Sequence, residues 1–277
     1  MQILNTIPEI RNLFLGKAFD WNIWRRYAAG ISPPLASKCE EDIREYDFAR
    51  EIRPVLEKSA VSGDALDRLN VSFCAAAETL RDRICSLFDA EPDVTILLYW
   101  GLCNGAGWAT TLDGHPAVLL GAEKIIELGW WGEADVKGLL FHEIGHIWHE
   151  QAGKSRCCSR PVREQSVWQL VEEGVAMACE QQLAADEHFY HQNKGDWLSW
   201  CTRHETEIKR LYLHCLENGQ STRDFFGDWN RVGSHADVGY FLGGRFVRHL
   251  LRNRSLQEIA RLPYALLDAE LTAFLKT

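Results

Sequence analysis

The chain has 277 residues, 46% of them hydrophobic and 25% charged, an ordinary globular composition with enough length for a large buried core. Its formal net charge is −9, from 30 basic and 39 acidic residues, which argues against nucleic acid or an anionic membrane as the main partner. No uninterrupted apolar run reaches about 18 residues, so no transmembrane helix is expected.

The N-terminal residues 1 to about 90 read as helical. Asn5 to Phe14 and Asp20 to Ala29 are short amphipathic pieces rich in aromatics, and Ile31-Ser32-Pro33-Pro34 breaks the chain after them. Glu40 to Ser59 and Gly63 to Asp89 carry apolar residues at helical spacing, as at Leu66, Leu69, Phe73, Leu80 and Ile84. The start has no basic segment followed by a long apolar run and a cleavage site, so no secretory signal is read there. Nine cysteines, odd in number and irregular in spacing, read as reduced thiols of a cytoplasmic protein.

The pattern changes after Glu91-Pro92-Asp93. Val94 to Trp100 is a continuous apolar, β-branched and aromatic run, which predicts a buried strand. Gly101 to Gly107 holds three glycines in seven residues and reads as loop or irregular strand. Asp113-Gly114 between two apolar runs predicts a hairpin. From Asp135 the chain returns to helices, predicted over Val136 to Gln151, Pro161 to Leu183, Glu187 to Asn218, Gly239 to Leu251 and Leu256 to Leu262, with a short one at the end. Helices, then sheet, then helices make an α+β protein. Three regions follow from this: a helical N-terminal region over 1–90, a sheet with a motif-bearing helix over 91–152, and a helical C-terminal subdomain over 153–277.

The motif is His142-Glu143-Ile144-Gly145-His146. Histidines at i and i+4 stand one turn apart on one helix face and can hold one zinc ion, with the glutamate beside them as general base. On a helical wheel Val136, Leu139, Leu140, Ile144 and Ile147 fall within an arc of roughly 140°. His142, His146 and His149 fall on another arc, so the histidines are expected off the core face. A catalytic zinc takes three protein ligands and keeps one open position. The next helix offers Glu172, Glu173 and Glu180.

With Glu173-Gly174-Val175-Ala176 and a second Glu seven residues on, the chain resembles the gluzincins, the zinc peptidases that include thermolysin and aminopeptidase N. It is most similar to bacterial families described as predicted zinc-dependent proteases, which carry a Gly-rich strand segment, a Glu-Gly-x-Ala element and a Gly-Tyr-x-x-Gly element; here the last is Gly239-Tyr240-Phe241-Leu242-Gly243. The spacer Ile147 to Glu172 is longer than in the better-known members. The resemblance implies a zincin-like fold and a zinc metalloprotease, a hydrolase acting on a peptide or protein substrate. It implies His142, His146 and Glu173 as ligands, with Glu172 the runner-up, and Glu143 as general base. Glu180 would then orient a ligand histidine from behind, and His149 would serve the same shell or touch substrate. Tyr240, or failing it His235, would donate to the oxyanion. Substrate would add as a strand along an edge within Gly105 to Leu120. That region lacks the glutamate with which aminopeptidases hold an amino terminus, so endopeptidase and exopeptidase readings both stay open. A non-catalytic zinc-binding or regulatory protein on the same scaffold, and a zinc hydrolase of a non-peptide substrate, are the alternatives.

Overall fold

The structure is a computed structural model that describes residues 1–88, 92–153, 161–227 and 231–277. In chain order the elements begin with β1 (Gln2–Asn5), α1 (Ile7–Leu13), α2 (Trp21–Ile31), α3 (Leu35–Asp42), α4 (Arg53–Ala60) and α5 (Gly63–Phe88). The middle of the chain forms β2 (Thr95–Tyr99), β3 (Gly107–Leu112), β4 (His115–Gly121), α6 (Ala122–Leu128) and α7 (Glu133–Ala152). The helices α8 (Val162–Ala184), α9 (Trp197–Arg203), α10 (Glu205–Glu217), α11 (Val238–Leu251), α12 (Leu256–Ala260) and α13 (Tyr264–Leu275) follow. The α+β expectation holds at this level: a mostly helical chain with one small sheet. Contacts divide it into two compact units, Met1–Ile147 and Trp148–Thr277, with the division inside α7.

The first unit is built on a four-stranded sheet in the order β1-β2-β4-β3. The β1–β2 and β2–β4 pairs are parallel; β3–β4 is antiparallel. The two central strands are buried along Ile96–Tyr99 and Ala117–Gly121, while β3, on one edge, is mostly half-exposed. The predicted hairpin is present, with Asp113 at φ 52° and Gly114 at φ 79°; positive φ at both turn residues gives the twist that antiparallel strands need. β1 departs from the all-helical reading of residues 1 to 90. Its four residues pair with a strand some 90 positions away, Gln2 opposite Thr95, and a piece that short carries no periodicity of its own. The single helix expected over Glu40–Ser59 is divided. The break falls at residues 43–47, after which a π-helical turn, Phe48–Ile52, capped by the Asp47 carboxylate through the Ala49 and Arg50 amides, runs directly into α4. Buried polar contacts tie the helices to the sheet. The Tyr27 hydroxyl accepts from the Trp100 amide at 2.9 Å and the Trp24 indole N–H donates to the Trp100 carbonyl at 3.0 Å.

The second unit packs α11 against α8 where glycines meet. A methyl group on Gly174 would stand 2.6 Å from a Val247 methyl, and one on Gly243 would stand 2.8 Å from the Leu170 carbonyl. Side chains on these helices would force the backbones apart. Gly174 to Gln181 of α8 is buried without interruption. The α10 residue Tyr212 donates its hydroxyl to the Ser166 carbonyl at 2.7 Å, and Arg163 of α8 pairs with Asp268 of α13 at 2.7 Å. The single helix read over Glu187–Asn218 is divided into α9 and α10, preceded by turns. Asn193-Lys194-Gly195-Asp196 is the turn signal there, and Gly195 has φ 60°.

Seven cysteines lie among the described residues and all are free thiols; Cys157 and Cys158 fall outside the described residues. Among the described residues no helix is long and apolar enough to cross a membrane.

Candidate metal centre

The motif helix α7 begins with Glu133 and Asp135 in its first turn, where carboxylates suit the positive end of a helix dipole. Gly138 to Gly145 is buried without a break. This corrects the wheel: His142 is 3% exposed and His149 5%, so two of the three histidines are interior residues. A two-faced wheel assumes one wet face, and along these two turns α7 has none. Its polar stripe is an interior stripe.

On that stripe the Nε2 atoms of His142 and His146 face each other at 3.1 Å, with the rings edge to face. Two nitrogens bound at about 2.0–2.1 Å to a tetrahedral ion stand about 3.3 Å apart, so the pair has the spacing that a shared metal ion needs. Both histidines are among the residues whose donor atoms could hold a metal ion, as are Glu173, Glu180 and His191 of the second unit.

Glu143 lies between the two histidines in sequence and is buried. Its carboxyl group packs against the start of β3. A methyl group added to Gly107 would stand 2.8 Å from the Glu143 carboxyl carbon. Only a residue without a side chain lets the strand come this close. No hydrogen-bond donor among the described residues reaches the Glu143 carboxylate, which leaves its lone pairs for a water or a substrate proton. The Gly-rich stretch read as loop or irregular strand is a loop over residues 101–106, and its last glycine, Gly107, opens β3 against this glutamate.

On α8, Glu173 is half-buried and Glu180 wholly so. Seven residues bring them to the same face two turns apart. The expected role of Glu180, behind a ligand histidine, meets a specific partner in its own unit. Its oxygens accept the backbone N–H of His191 at 2.8 Å and face the His191 Nδ1 at 2.9 Å. That fixes the ring, with Nδ1 turned to the carboxylate. His191 was missed because its segment reads as continuous helix; the Asn-Lys-Gly-Asp turn just after it is the signal that would have exposed it.

Tyr240 sits in the first turn of α11, half-buried, its ring edge-on to Phe226 at 5.6 Å. His235 is placed differently. Its Nε2 pairs with Asp196 at 2.9 Å, its Nδ1 with the Ser234 hydroxyl at 2.8 Å, and its ring stacks on Trp200 at 4.5 Å. Both ring nitrogens are occupied within that neighbourhood, and Asp196 is held below the usual carboxylate range by the His235 hydrogen bond. His149 lies one turn beyond His146, packed close to Gly153. Arg245 pairs with Glu205 at 3.2 Å.

Sequence reasoning also missed Glu123, in the first turn of α6. It is fully buried and accepts the backbone N–H groups of Gly101 at 2.9 Å and Cys103 at 3.0 Å. Burial pushes its carboxyl up to about 7, and those two amides pull the other way. A lone Glu at a helix start carries no sequence mark of such a role.

Compared with family models, with curated proteins and with solved structures, the chain matches none.

Proposed function

We propose that the chain is a zinc-dependent metallopeptidase of the gluzincin kind, with His142, His146 and Glu173 as its metal ligands and Glu143 as its general base. The observation that carries this reading is the pair of facing imidazole nitrogens on α7 beside a buried glutamate that no donor among the described residues reaches. Zinc, when bound, supplies a Lewis acid at those imidazoles. Glu143 takes the proton of the attacking water and passes it to the leaving amine. Gly107 lets the edge of the sheet lie against Glu143, so a substrate backbone added alongside β3 would bring a carbonyl close to the base. Tyr240 donates to the developing oxyanion; His235, with both nitrogens engaged, is the weaker candidate. Glu180 holds His191 through its amide and ring and is assigned a positioning part.

A non-catalytic zinc protein would have no use for Glu143, which favours an enzyme. The test is metal analysis of the purified protein together with a peptide-library digest with and without chelator. Stoichiometric zinc and chelator-sensitive cleavage are expected. Protein that binds no metal, or cleavage that survives chelation, overturns the reading.

A further inference from the structure

Glu123 stands where a carboxylate is costly. It is fully buried, and its two nearest polar partners are backbone amides rather than a cation. The surroundings are shaped to it. A methyl group on Gly101 would stand 2.7 Å from Oε1 of Glu123 and 2.9 Å from the Tyr99 hydroxyl; one on Gly121 would stand 3.2 Å from the same Oε1 and 2.5 Å from the Gly105 carbonyl. The segment it grips bends through unusual backbone, with Cys103 at φ 62° and Gly105 at φ 155°. The Gly121 amide then donates to the Ala106 carbonyl at 3.0 Å. The next residue is Gly107, which packs on Glu143.

We propose that Glu123 is a positioning residue: by pinning the segment from Gly101 to Ala106 it fixes the start of β3, and through Gly107 it sets where the Glu143 carboxylate stands. The proposal rests on the reading of Glu143 as the reacting base. It explains why this position holds a carboxylate. Two N–H groups need two acceptor oxygens; a glutamine offers one and turns an NH2 toward the other amide. The loop then loses one of its two anchors, and the strand start shifts with it.

The test compares Glu123→Gln and Glu123→Asp with the wild type, each loaded with zinc. The peptide is the one that the library digest identifies. Glu123→Gln should keep its circular dichroism and zinc content, while kcat falls about tenfold or more and KM changes less than about twofold, as for a base moved by a fraction of an ångström. In the metal-free protein, the carboxyl 13C resonance of Glu143, assigned by its loss in Glu143→Gln, should shift in Glu123→Gln. Glu123→Asp keeps the charge on a shorter arm and should fall between. If Glu123→Gln does not fold, Glu123→Asp decides by the same two readings. Unchanged kcat with an unchanged Glu143 resonance overturns the proposal and leaves Glu123 as a loop anchor only. If the wild type cleaves no peptide, the peptidase reading fails by itself, and the Glu143 resonance alone decides this one.

Discussion

Glu123 in the first unit and Glu180 in the second are both fully buried, and both have their oxygens occupied. Glu123 holds two backbone amides; Glu180 holds the amide and ring of one histidine. Glu143 contrasts with both: buried, and reached by no donor among the described residues. The oxygens of Glu123 and Glu180 are engaged with fixed partners, so neither is turned toward a reacting group. Two of the three glutamates thus hold fixed partners, and the third, Glu143, is the one proposed as the base.

The strongest way to break that division is to neutralise each. Glu143→Gln should keep its zinc and lose about 10²–10⁴ in kcat, measured against a metal-loaded wild type; full activity or lost metal would remove Glu143 from the chemistry. Glu173→Ala should lower zinc affinity by about tenfold to a hundredfold or more, read by competition with a chromophoric chelator, while Glu172→Ala should not; the reverse would move the third ligand by one residue. Glu180→Ala leaves His191 without its carboxylate inside the protein and should cost about 1–3 kcal/mol of stability, read from urea unfolding at constant m. An activity loss without a stability loss would shift Glu180 from the holding class to the reacting one.

The smallest effect concerns pH. The carboxyl of Glu123 titrates near 7 in the folded chain and near its ordinary 4.5 when unfolded, so the folded state binds the proton more tightly. Its contribution to stability is fully present below about 4.5 and is lost as pH rises to about 7. Between pH 5 and 8 the Tm of Glu123→Gln should therefore fall less than that of the wild type; parallel curves would show that Glu123 does not carry this linkage.

Much of the chemistry was legible because it is local. His142 and His146 meet through helical repeat alone, and Glu173 and Glu180 share a face for the same reason. Asp113-Gly114 specifies its own turn. The environment of these residues was less legible. The wheel put the histidines off the core face, yet His142 and His149 are buried, because a helix pattern reports which residues differ and not how many sides are covered. His235 matched a role by residue type, but its nitrogens are taken by Asp196 and Ser234. His191 was hidden in a segment whose turn residues were read as helix.

The sequence by itself determined the helices with strong periodicity, the hairpin, and the i, i+4 histidine pair with its glutamate, since each depends on residues within a turn or two of one another. Only the tertiary structure decided the rest. It brought Gln2–Asn5 beside Thr95–Leu98, made β3 an edge strand, and set Gly107 against Glu143 and Glu123 beneath Gly101 and Cys103. These are pairings between residues about 20 to 90 positions apart. Their partners are fixed by which surfaces are buried together and by which backbone groups must then find a donor or acceptor, and neither condition is written in the order of neighbouring residues.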